Sequence, residues 1–280
     1  MASPNRKPGS SDWPATGYWT TGSAPASTDS ATVDAGGDTI NQNMDQSAVD
    51  LTALYVGPGF KGNIDALLID VNQGGAGVFT YDGSGQRMSI GRSGGTLAKV
   101  VMQNTAGTAV LSLLNGAVTL LEVLNGMVIV AGGCTPATIR MMGGDCVVQY
   151  NSGNLVTTID AMAGRLHLQR DFTTLNLGEK AVVTWDGDGD SGALTGGAVN
   201  LNGGLLKWLR GSLGALTLKA GGIDMTAIQK AGLAAASITH WYGTKLMYPA
   251  GSKAPNLGSE TLVGGGATKS YGGSGTGTGS

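Results

Sequence analysis

The chain has 280 residues, of which 49 are glycine, 13% are charged and 41% are hydrophobic. Glycine at more than twice its usual share of about 7% disfavours helices, because each interior glycine costs a helix about 1 kcal/mol. A formal net charge of −2 gives no electrostatic ground for nucleic-acid binding, and no apolar run reaches the roughly 18 residues of a membrane-spanning helix.

Residues 1–37 are rich in Ser, Thr, Ala, Pro and Gly and lack aliphatic periodicity, so they read as an extended N-terminal arm. No apolar signal region is present in this stretch, and synthesis is assigned to the cytoplasm. Trp13, Tyr18 and Trp19 become candidate contacts with a partner or a neighbouring subunit, since aromatics are favoured interface anchors. The competing reading is that they fold back and cap the main domain.

Residues 38–250 read as the structured body. Leu-Asn-Gly-x-Val occurs twice with an offset of ten, at Leu114–Val118 and Leu124–Val128. Turn signals recur at Gly132-Gly133, Gly143-Gly144, Gly196-Gly197, Asn202-Gly203-Gly204 and Gly221-Gly222. Between them lie short β-prone segments, some strictly alternating: in Arg165–Gln169, Leu166 and Leu168 should point inward and His167 outward. Short strands at this spacing fit either antiparallel hairpins in a sandwich or a parallel β-helix. Aromatics make up only 5% of the chain, and the small, aliphatic character of the segments favours the second. The expected fold is all-β, a single-stranded parallel β-helix of eight or nine coils, right-handed by the default crossover rule. Asn and Gly should occupy its left-handed corners. Thr226–Ala236 breaks the pattern as a short helix or irregular coil, placing a C-terminal cap near 226–250. Residues 251–280 have the composition of a flexible Gly/Ser-rich tail.

The most chemical stretch is Val182–Gly192, VVTWDGDGDSG, with Asp186, Asp188 and Asp190. A calcium-binding EF-hand loop needs Gly at position 6 and Glu at position 12. Counted from Asp186 these positions hold Ser191 and Gly197. The three aspartates therefore remain only a weak calcium candidate, and no cofactor is assigned. VFTYDGSGQ at Val78–Gln86 shares the frame of Thr, aromatic, Asp, Gly, x, Gly, as a strand ending in a tight corner requires. Asp186 with Asp188, or Asp160 with Asp171, could be considered as glycosidase carboxylates. The compact segments offer no long groove-forming loops, so no catalytic residue is assigned. His167 reads as solvated, and His240-Trp241-Tyr242 as packing at a cap or subunit contact. Cys134 and Cys146 show no CxxC spacing and read as small buried hydrophobes, with pairing left open.

Ile40–Ile64, INQNMDQSAVDLTALYVGPGFKGNI, carries Asp45-Gln46-Ser47, an apolar strand from Leu51 to Val56, and Gly57-Pro58-Gly59-Phe60-Lys61-Gly62-Asn63-Ile64. It resembles a segment of virion proteins of tailed bacteriophages, and Leu246–Gly251 resembles a late strand of the same proteins. Phe60 should close over the open start of the first coil. The resemblance implies a β-helical particle protein, a capsid cement or decoration protein on the virion surface. The major capsid protein is then its partner, and by analogy the chain forms a homotrimer. It would be a structural protein rather than an enzyme, without nucleic-acid or membrane partners. The alternative is a tail-fibre or tailspike component that binds or cleaves a host surface polysaccharide.

Overall fold

The computed structural model describes residues 2–83, 87–104, 108–151, 153–186, 194–228, 234–241, 243–248, 256–264 and 268–271. It is all-β, 66% strand and 3% helix, with parallel strands stacked as a β-solenoid of about 10 turns. The sandwich alternative therefore falls away and the parallel β-helix stands, with slightly more coils than expected. Two compact units divide the chain, Met1–Gln149 and Tyr150–Ser280.

Unit 1 holds β1 (Ser30–Val33), β2 (Asp45–Asp50), β3 (Ala53–Val56), β4 (Ile64–Asp70), β5 (Val78–Tyr81), β6 (Arg87–Ile90), β7 (Thr96–Gln103), β8 (Val110–Asn125), β9 (Met127–Met141) and β10 (Asp145–Val148). Each strand pairs in parallel with the strand one coil away, so equivalent residues stack in columns. One inward column runs Ala31, Leu54, Phe79, Val100, Leu121, Ile139. A second, from the other side of the coil, runs Ile40, Ile64, Met88, Leu111, Val128, Cys146. All twelve side chains are buried, at roughly 1.5–3 kcal/mol for each large aliphatic one.

The register explains the ten-residue echo. Val110 pairs with Met127 and Asn115 with Gly133, so a coil here advances 17 or 18 residues. The two Leu-Asn-Gly segments are successive corners of the chain, not equivalent corners of neighbouring coils. Gly116 and Gly126 have φ of +93° and +84°, and neither Asn115 nor Asn125 has a positive φ. At these two corners glycine takes the left-handed region, because it lacks the Cβ that makes this region costly; elsewhere Asn43 takes it too, with φ of +48°.

The N-terminal segment corrects the expectation of an extended arm. Trp13 and Trp19 are 0% exposed, and only Tyr18, at 36%, reaches solvent. The two indoles meet edge to face with centroids 5.4 Å apart. Trp19 Nε1 donates to the Trp13 carbonyl at 2.9 Å. The buried Arg6 guanidinium lies 5.6 Å from the centre of the Trp19 ring and donates to the carbonyls of Trp13 and Ser10. Burial lowers the Arg6 pKa from its ordinary value, opposed by Asp12 and Asp38. Asn5 bridges in parallel to Thr32, and Arg6 bridges antiparallel to Trp19. The segment thus covers the edge of β1, and β1 itself belongs to the sheet. Phe60 is buried and bridges in parallel to Gly36.

Unit 2 holds β11 (Val156–Leu168), β12 (Phe172–Trp185), β13 (Thr195–Trp208), β14 (Ser212–Asp224), β15 (Ala234–Trp241), β16 (Lys245–Tyr248), β17 (Asn256–Val263) and β18 (Thr268–Tyr271). Leu166 and Leu168 point inward, as alternation requires. Inward columns run Ile159, Leu175, Val199, Leu216, Ile238 and, on the other side, Leu166, Val183, Leu206, Ile223, Leu246. Phe172 fills the space over Gly196, where an added Cβ would lie 2.6 Å from its ring and 2.5 Å from Leu213. Leu166 pairs with Val183, 17 residues on, whereas Phe172 pairs with Gly196, 24 residues on. The difference is the Asp-Gly stretch between β12 and β13.

Two boundaries also change. Within the expected cap near 226–250, β15 and β16 both pair in parallel to β14, and residues 229–233, 242, 249 and 250 lie outside the described residues. The expected tail contains β17 and β18, which pair with β15 and β16. Residues 272–280 lie outside the described residues.

Two predictions follow from the closed end and from the outer surface of unit 1. Trp19→Ala should destabilise the protein by about 3–5 kcal/mol, read as a lowered midpoint of urea unfolding. On the outer side of β8, Glu122 accepts from Lys99 at 2.6 Å and Arg140 at 2.9 Å. The Lys99 hydrogen bond, followed by its charge and by Arg140, holds the Glu122 carboxyl below its ordinary value. A depressed carboxyl pKa stabilises the fold above the unfolded value, and that contribution is lost as pH falls through the folded one. Unfolding midpoints of the parent and Glu122→Gln should therefore differ at about pH 6 and converge towards about pH 3.

Candidate functional site

The acidic corner is built by the end of β12. Leu168, Trp185 and Trp208 form one inward column, and all three are buried. Phe172 meets Trp185 edge to face at 5.2 Å, and Trp185 Nε1 donates to the Arg170 carbonyl at 3.1 Å. This fixed aromatic places Asp186 at the corner, its N–H donating to the Leu168 carbonyl at 3.0 Å. The Asp186 carboxylate lies 3.7 Å from Arg210 Nε and 3.8 Å from His167 Nε2. Its neighbours are cationic or can become so, which disfavours a divalent cation at that carboxylate. Asp188 and Asp190 lie outside the described residues. Among the described residues no group of three acidic, His or Cys side chains is arranged to hold a metal ion.

The upstream echo has the same backbone logic. Tyr81 ends β5 buried, and the Asp82 N–H donates to the Val56 carbonyl at 2.7 Å. Burial pushes the Tyr81 phenol up to about 12. In both copies the aromatic is a core residue and the aspartate begins the corner.

The other carboxylates considered for catalysis have structural partners. Asp171 accepts from the Thr195 N–H at 2.8 Å. Asp160 accepts from Asn176 Nδ2 at 2.7 Å, and Asn176 Oδ1 accepts from Asn200 Nδ2 at 2.9 Å. His167 stands at an outward position of β11, as its parity indicated. Gly91-Arg92-Ser93-Gly94-Gly95 fits the G-x-S-x-G spelling of a nucleophile elbow. That motif needs a strand-to-helix turn, whereas here it joins β6 to β7 at a coil corner. It lines a shallow polar groove of about 320 Å³ with Thr96, Asn115 and Thr135.

The Asp160–Asn176–Asn200 ladder marks a surface that single-sequence reading missed. Outward ranks on this side of unit 2 are Thr158 and Asp160, Thr174 and Asn176, Ala198 and Asn200, Ala215 and Thr217, Ser237 and Thr239, Ser259 and Thr261. All twelve are small, and Asp160 alone is charged. The signal is present in the sequence as short polar residues alternating with aliphatics, but it becomes a surface only once the register is known.

Among the described residues no helix is long and apolar enough to cross a membrane. No family model, curated protein or solved structure matches the chain.

Cys134 and Cys146 are both buried thiols. Burial, with the nearby Cys134 and Asp145, pushes the Cys146 thiol up to about 12. Because the thiolate is the reactive form, Cys146 should resist a disulfide reagent at neutral pH in the folded protein. Peptide mapping after labelling should find it modified only once the chain is unfolded.

Proposed function

We propose that the chain is a structural protein of a tailed-phage particle that binds the outer surface of the capsid. Two features support this reading. Ile40–Ile64, the segment resembling phage virion proteins, is one full coil, with Ile40 bridging to Ile64. The face of small, mostly polar residues on unit 2 is the observation that carries it, because it offers hydrogen-bonding groups on a frame whose inward columns are buried from β11 to β15. Stapling by an extended arm is not part of the reading, since Trp13 and Trp19 are buried in unit 1.

Six ranks at about 4.8 Å, with outward columns about 7 Å apart, make a strip of a few hundred Å². A stable interface buries about 800 Å² on each partner. One strip is too small to hold alone, so attachment rests on several copies acting together, consistent with a homotrimer on the major capsid protein. A second reading, a tail-fibre component that binds a host surface polysaccharide, is favoured by the hydroxyl- and amide-lined groove at Ser93, Thr96, Asn115 and Thr135.

Electron cryo-microscopy of particles carrying the protein should show density at capsid lattice points. Density only at the tail would reject the capsid reading in favour of the second. Ala215→Arg with Thr217→Arg, both outward on β14, should lower particle binding at least tenfold while leaving the circular dichroism spectrum unchanged. Full binding by this variant would remove the small polar face from the interaction.

A further inference from the structure

The inward columns of unit 2 are apolar coil after coil until the last two. One runs Ala161, Leu177, Leu201, Leu218 and then His240. Its neighbour runs Ile159, Leu175, Val199, Leu216, Ile238 and then Glu260. His240 is 2% exposed, with Nε2 2.9 Å from Glu260 Oε1 and Nδ1 3.4 Å from Thr244 Oγ1.

The Thr244 hydroxyl proton is already committed, donated to the Trp241 carbonyl at 2.7 Å. What the hydroxyl turns toward Nδ1 is therefore a lone pair, and the carboxylate opposite Nε2 is also an acceptor. A ring with one proton can satisfy only one of them and sets a bare nitrogen against the other. The Glu260 side chain is 30% exposed. The arrangement is complete when both ring nitrogens carry protons.

We propose that the terminal coil of unit 2 is held by a proton-dependent latch, a buried His240 imidazolium bridging Glu260 of β17 to Thr244, and that loss of the proton releases β17. All side chains of the strand but Leu257 are exposed, including Leu262 at 52%. Among the described side chains, the other titratable groups on the adjoining strands are Lys219 and Asp224 of β14 and Lys245 and Tyr248 of β16; the side chains of Lys269 and Tyr271 on β18 lie outside the described residues. Lys219 and Lys245 are exposed, and Asp224 accepts from Thr226. Tyr248 is buried and supplies no counter-charge as a neutral phenol. Release would uncover the edge of β15, with Ala235 and Ile238 on its inward side, a template for a strand from a partner.

The test is hydrogen exchange of residues 256–263 in the full chain, corrected for intrinsic rates and referred to β12. Protection should fall as pH rises, by no more than about tenfold per pH unit, the slope of a single linked proton. His240→Leu continues the leucine column, so it should keep β17 docked with a flat pH course. The ¹⁵N spectrum of the imidazole, assigned against His167→Asn, should show both nitrogens protonated while β17 is protected. The proposal is overturned by the same pH course in parent and His240→Leu, or by a singly protonated ring in the docked state.

Discussion

Parallel stacking one coil apart is the constraint from which the rest of each unit follows. Every strand draws its hydrogen bonds from the coils beside it, so a residue's neighbours are set by register and not by the next turn of chain. An inward side chain must fit the residues above and below it in its column. Phe172 is possible because Gly196 leaves room for its ring. Cys146 ends a column of larger aliphatics because that column continues from Val128. Outward residues escape this rule, which is why chemical variety collects there.

The same constraint makes the first and last coils special, since a stacked strand leaves unpaired N–H and C=O groups along its free edge. Unit 1 meets this with local backbone pairing by residues 5–6 and with two tryptophans that fill the end of the core. A guanidinium beneath them satisfies carbonyls that have no coil above to bond. Unit 2 treats its last described coil differently: the apolar columns pass into His240 and Glu260. A polar pair there holds the coil by charge and hydrogen bonding, which respond to protons, where a leucine would have held it by burial, which does not.

Much of the solenoid was legible in the sequence because its signals are local. Alternation placed Leu166 and Leu168 inward, and Gly144, Gly203, Gly204 and Gly221 marked left-handed corners, although Gly196-Gly197 lies within β13. Other features depended on contacts far along the chain. Trp13 and Trp19 carry no periodicity, and their burial depends on Arg6 and on β1, so the stretch looked like an arm. The ten-residue echo of Leu-Asn-Gly suggested a repeat, but one coil contains more than one corner. The strands in the supposed tail were hidden by the glycine-rich stretches around them, and only their pairing with β15 and β16 defines them. His240 shares parity with Ile238, so its inward position could have been read from alternation; its aromatic neighbours drew attention to a cap instead.

The acidic corner shows how the same rule separates chemistry from architecture. Trp185 is fixed by the column it shares with Leu168 and Trp208, and Asp186 continues the backbone ladder into the turn. Its carboxylate then meets Arg210 and His167, residues brought to that corner from neighbouring coils. The aspartate's position is thus a consequence of the tryptophan before it, and its charge is answered by Arg210 from one neighbouring coil, with His167 facing it from the other. On the flat face the logic reverses. Asp160, Asn176 and Asn200 bond to one another along the solenoid axis, but each Asn amide has a second N–H that the ladder does not use. The Thr and Ser hydroxyls beside them likewise face outward from a frame held by its core. A surface ordered in this way loses little side-chain entropy on contact, so even a strip too narrow to bind alone can contribute when several copies engage together.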